Sequence, residues 1–193
     1  AQLSSMPYDL IICMPGTGDN EGFDVARTIK GRYEHIPMVI LTPFSHGITK
    51  RIANEDLSSF DYIFCWLGNT DLLVSIIKLI EDKMNLEHDV SEVGVQIILL
   101  VEDGIRFYSS ILPNLYKFVL KQSQEFSTEA LNAHQRTLRM RGRPKIVLAR
   151  TYDEAIGIYE KYKNNILGVI TDVRFPRVER GEKDALAGIK LCA

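Results

Sequence analysis

Gly168-Val169-Ile170-Thr171-Asp172-Val173-Arg174-Phe175-Pro176 reads as a short buried strand that delivers one aspartate to its C-terminal tip and turns at once into a proline loop. In an open parallel α/β sheet that tip is where ligands and chemistry gather. Upstream, Gln96-Ile-Ile-Leu-Leu-Val-Glu102-Asp103 is a second apolar strand, and it ends in two adjacent carboxylates. Side by side, the two strands bring Glu102, Asp103 and Asp172 to one mouth. Magnesium takes oxygen ligands, commonly one or two carboxylates completed by waters and phosphate oxygens, so the three form a candidate Mg²⁺ site.

Around these strands the chain alternates strand and helix, the pattern of a parallel α/β protein. Residues 8–13, 37–42 and 61–66 are short apolar runs, with a helical pattern over 22–30 between the first two. Ser45 is placed to cap a weak helix through Asn54. Over 71–84, Leu72, Leu73, Ile76, Ile77, Ile80 and Met84 repeat at three and four, predicting an amphipathic helix. Residues 89–94 are polar and acidic and read as a linker, so the expected modules are 1–88 and 95–193.

In the second module a long helical segment is expected over 105–141, with Tyr108, Leu112, Leu115 and Val119 followed by Phe126, Ala130, His134 and Leu138 on its apolar stripe. Pro113 is expected to kink or break it. A strand follows at 145–149. Thr151-Tyr-Asp-Glu154 is a capping box opening a helix through Lys163, with Ala155, Ile156 and Tyr159 inward. Another helix begins near Ala187.

Two acids ending one apolar strand, and an aspartate ending the strand after next, resemble the receiver domain of response regulators. The likeness implies a flavodoxin-like (CheY-like) parallel sheet in strand order 2-1-3-4-5, with Asp172 as phosphoacceptor. It also implies the backbone carbonyl of Arg174 as a further Mg²⁺ ligand. Residues 1–88 resemble the C-terminal half of a receiver whose chemistry is blank, with Cys13 or Met14 where the phosphoacceptor would stand and Cys65 or Trp66 in place of its lysine. Thr42 matches the family's hydroxyl. Two incomplete receivers in tandem are therefore expected, the second with an extended first helix.

The implied partners are a histidine kinase or other phosphohistidine donor and an output domain in the same longer chain, with a homodimer as a further expectation. Arg-Met-Arg-Gly-Arg-Pro-Lys145, Tyr152-Asp-Glu-Ala and Gly168-Val-Ile-Thr-Asp together look like the receiver region preceding a phosphoenolpyruvate synthase or pyruvate, phosphate dikinase-type domain in bacterial proteins. The alternative reading is a pseudo-receiver that is never phosphorylated and serves as a dimerisation scaffold. A Mg²⁺-dependent phosphohydrolase ranks third, because Arg174 stands where such enzymes place a second acid.

The formal net charge of −2 gives no general pull toward nucleic acid or anionic membrane. Arg141-Gly-Arg-Pro144 resembles the core of an AT-hook, but the run joins a helix end to a strand, where cations suit the helix dipole. It is assigned to that junction or to docking of an acidic partner, and no nucleic acid is expected. Three scattered cysteines, Cys13, Cys65 and Cys192, fit a reducing cytoplasm. No apolar run is long enough to span a bilayer. The chain starts at Ala1 and stops within an opening helix, and is read as a piece of a longer protein.

Overall fold

The computed structural model describes residues 8–14, 21–43, 57, 59–128 and 142–193. The protein is α/β with parallel sheets, and the chain divides into two compact units, Ala1–Leu72 and Leu73–Ala193.

In the first unit, β1 (Ile11–Cys13), α1 (Glu21–Arg32), β2 (Met38–Pro43) and β3 (Tyr62–Trp66) build a parallel sheet in the order β1-β2-β3. β2 and β3 are unbroken apolar runs because residues on both faces of a covered parallel sheet leave water. Asp61 ties the layers together. Its Oδ2 accepts from Lys30 Nζ of α1 at 3.1 Å and from the Met38 backbone N–H at 3.0 Å.

The helix predicted over 71–84 runs further, as α2 (Asp71–His88), and continues into a π-helical turn, Asp89–Val93. Gly94 ends that turn in the left-handed region (φ 69°), a backbone state that glycine adopts without steric cost. The stretch expected to be a linker is therefore structured. Asp89 is buried, and the division between the compact units falls at Leu72/Leu73 instead. The buried face of α2 also differs from the expected stripe. Leu72, Ile76, Leu79 and Ile80 are buried, whereas Leu73, Ile77 and Met84 face outward.

The second unit contains β4 (Ile97–Val101), α3 (Ile105–Thr128), β5 (Lys145–Ala149), α4 (Tyr152–Tyr162) and β6 (Ile166–Thr171). Its sheet runs β5-β4-β6, all parallel, so the strand that comes first in this unit lies in the middle. α3 passes through Pro113 without a break. Proline there removes one helix hydrogen bond, and burial of Tyr108, Leu112, Pro113, Tyr116 and Val119 offsets that loss. Residues 129–141, with Ala130, His134 and Leu138, lie outside the described residues, as do Ser45 and its expected helix.

Half of the capping box of α4 forms as read: Thr151 Oγ1 accepts from the Glu154 N–H at 3.2 Å, while Glu154 Oε2 accepts from the Arg150 N–H, one residue before the cap, at 2.7 Å. Of the residues expected inward, Ala155 is buried and Ile156 half-buried, but Tyr159 points to solvent. Tyr152, Ile158 and Tyr162 pack inward in its place. After β6 the chain makes a small antiparallel hairpin, β7 (Phe175–Pro176) with β8 (Lys183–Asp184), and enters α5 (Ala187–Cys192).

Candidate metal and phosphoacceptor site

Register brings the acids together. Val101 of β4 pairs with Thr171 of β6, so the next residues, Glu102 and Asp172, leave the sheet at the same level. Backbone bonds hold both exits: the Glu102 N–H donates to the Ala149 carbonyl at 3.0 Å and the Asp172 N–H to the Val101 carbonyl at 2.9 Å. This level depends on an irregularity at the far end of the pair. Ile97 opposes Ile166 but Ile98 opposes Gly168, so Leu167 is skipped. Without that extra residue Val101 would face Ile170, and the acids would miss each other by one position and one face.

Glu102, Asp103 and Asp172 each offer a carboxylate oxygen within 4.8 Å of the other two, with Glu102 buried and the aspartates half-buried. Glu102 Oε1 accepts from the Gly104 N–H at 2.8 Å, and Asp172 Oδ1 from the Val173 N–H at 2.7 Å. Burial pushes the Glu102 carboxyl above the ordinary carboxylate range. The Gly104 bond opposes that rise, the charges of Asp172 and Asp103 add to it, and Lys183 opposes it. Three acids packed this closely repel one another and favour any cation that enters.

Asp103 makes the demand specific. Its Oδ2 meets the Lys183 ammonium at 2.6 Å, while its Oδ1 is closed to solvent and receives no hydrogen bond among the described residues. Hard oxygen donors, one of them orphaned, are a set that could hold a divalent cation. Arg174 lies two residues beyond Asp172 in an exposed bend. Helix α5 closes the floor. The Gly188 N–H donates to the Val173 carbonyl at 3.1 Å, and a side chain at Gly188 would overlap the Asp172 carbonyl.

Lys183 was not among the residues singled out from the sequence. It lies in a charged loop 80 positions from Asp103, and only a hairpin of two-residue strands carries it to the mouth. The other features singled out have structural explanations. Thr42 is buried and its hydroxyl donates to the Phe64 carbonyl at 3.4 Å. Cys13 is half-buried and burial raises its thiol, while Met14 is exposed.

The basic run turns inward where it is described. Arg143 pairs with Asp82 through NH2 to Oδ1 at 2.6 Å, and Lys145 pairs with Asp89 at 2.7 Å. All four residues are buried. Asp82 Oδ2 also accepts from Tyr116 Oη and from the Ile146 N–H, each at 3.0 Å. Neither buried cation can reach a DNA groove, which leaves the AT-hook likeness without its second arginine.

Among the described residues, no helix is long and apolar enough to cross a membrane. Compared with profiles of known protein families, with curated proteins and with solved structures, the chain has no significant match.

Proposed function

We propose that the chain is a signal-receiving module of flavodoxin-like fold that accepts a phosphoryl group on Asp172 with Mg²⁺ held beside it. One observation carries this reading: the acidic pair ending β4 and the aspartate ending β6 converge within 4.8 Å at the C-terminal edge of a parallel sheet. The order β5-β4-β6 agrees with strands 2-1-3 of a receiver, and β1-β2-β3 agrees with strands 3-4-5 of a second, blank copy.

Glu102, Asp103, Asp172 and the Arg174 carbonyl would hold the ion, which would offset charge on the transferring phosphoryl group. The chain's own groups do the rest. The Val173 N–H fixes Asp172 Oδ1, and no described residue donates to Oδ2, so Oδ2 is the attacking atom. It forms the new P–O bond as the P–N bond of a phosphohistidine donor breaks, and the electron pair stays on the imidazole nitrogen. The acyl phosphate then biases the loop after β6 toward a second arrangement read by an attached or partner domain. A cytoplasmic setting, with a phosphoenolpyruvate synthase-like enzyme as output, belongs to the same proposal.

Incubation with a small phosphodonor and Mg²⁺, followed by intact-mass measurement, tests it. A phosphoryl-sized, hydroxylamine-labile gain is expected, absent in Asp172→Asn and strongly reduced in Asp103→Asn. No gain in the parent protein would overturn the reading.

A second reading, an unphosphorylated dimerisation scaffold, draws on α3. Phe107 and Phe118 are 61% and 64% exposed and lie eleven residues apart, on one face opposite the buried stripe. Dimers that vanish in Phe107→Glu/Phe118→Glu, without phosphorylation of the parent, would favour it.

A further inference from the structure

The hairpin after β6 places a lysine where a metal would have to bind. Lys183 Nζ lies 2.6 Å from Asp103 Oδ2, and the Asp103 side chain is only 15% exposed, so the ammonium sits against a largely closed carboxylate. We propose that Lys183 is the resident counter-cation of the carboxylate triad, a tethered ammonium that a divalent ion must displace from Asp103 in order to bind. This rests on the reading of Glu102, Asp103 and Asp172 as a metal site, and it gives that site a regulator from its own chain.

The hairpin is built to hold its backbone while releasing this one side chain. Phe175 is fully buried at its start, and the Arg177 carbonyl accepts from the Asp153 N–H at 3.1 Å. At its other end Asp184 accepts from the Leu186 N–H at 2.9 Å and from Lys190 Nζ at 2.5 Å. Between these anchors Val178 and Gly181 close a turn through a 2.9 Å backbone bond, and Arg180 takes a left-handed φ of 59°. The Lys183 side chain is 44% exposed, so its ammonium can swing into water without breaking an anchor.

Both cations use Asp103, and a positive charge that close opposes a second one entering. Displacement is therefore part of metal binding. By linkage, whatever draws Lys183 away (an acidic partner surface, for example) tightens the metal, and the metal in turn frees Lys183.

Mn²⁺ binding to the 193-residue chain, followed by electron paramagnetic resonance, is the test. Lys183→Gln should bind Mn²⁺ on the order of tenfold more tightly than the parent, the effect of removing one partly screened charge. Lys183→Arg, which keeps the charge, should stay close to the parent, and Asp103→Asn should lose the site. Equal affinity in the parent and Lys183→Gln, with binding still dependent on Asp103, overturns the proposal and leaves the triad as a metal site. Equal tightening by glutamine and arginine also overturns it, because charge would not be the cause. Absence of Asp103-dependent binding in every variant removes the triad reading and the proposal together.

Discussion

Asp82 is fully buried, and its two oxygens receive Arg143, Tyr116 and the Ile146 N–H, with Lys145 3.8 Å away. Removing one partner from a buried ion pair leaves the other charge uncompensated, which costs about 3–5 kcal/mol. Asp82→Ala should lower stability by about that amount in urea unfolding, while Asp82→Asn, which keeps an acceptor for Tyr116 and Ile146, should cost less. Glu102 behaves oppositely. Its carboxyl is raised in the fold, so the folded state binds the extra proton and stability falls as pH rises through that raised value. Glu102→Gln should therefore stabilise the metal-free protein at neutral pH, and the gain should disappear as pH falls to the ordinary carboxylate range. Thermal melts of both proteins, from the ordinary carboxylate range up to neutral pH, check the sign. Glu102, Asp103 and Asp172 were legible in the sequence because each follows an apolar run that fixes where a strand ends. Arg143 and Lys145 were misread because a cluster of cations looks solvated until its acids are found. The signal was present, since Asp82 lies three residues after Leu79 and four before Leu86, on the buried face of α2.

Strands and capped helices were readable wherever one local rule acted without competition. β5 matches its expected bounds because a continuous apolar run can only be buried there, and α4 starts where Thr151 caps it. Thr151→Ala should cost about 1 kcal/mol by denaturant unfolding, with Thr151→Ser close to the parent. Where two apolar stripes share one helix, spacing alone cannot say which one the core takes. On α2 the buried set is 72, 75, 76, 79, 80, 82 and 86, and on α4 Tyr159 yields its place to Ile158. The skipped Leu167 was also illegible, since nothing local distinguishes it from the paired residues around it, yet it sets the level at which Asp172 arrives. Gly188 is the element contact most sensitive to change. Gly188→Ala should displace α5 from Asp172 and destabilise the protein by about 1–3 kcal/mol, as overpacking does. Amide exchange that speeds up at Val173 and Gly188, with β5 unchanged, would identify α5 as the displaced part.

The sheet of the second unit ends in an apolar strand with one partner. Among the described residues β6 pairs only with β4, and Leu167 and Ile170 are 51% and 41% exposed. Parallel strands with such sequences are normally covered on both faces, and an open, apolar edge is a template for another chain. The 193-residue chain should therefore self-associate at micromolar concentration, seen as a sedimentation coefficient that rises with loading. Ile170→Lys puts a solvated charge on the edge without touching the acids and should shift association to at least about tenfold higher concentration, the effect of about 1.4 kcal/mol lost at the interface. Phe107→Glu/Phe118→Glu should leave the edge contact intact. If the helix pair of substitutions abolishes association and Ile170→Lys does not, the contact lies on α3 and the edge argument fails. If neither changes it, both surfaces are excluded. If Ile170→Lys alone abolishes it, the open strand beside Asp172 is the contact, and assembly uses the same strand that carries the proposed phosphoacceptor.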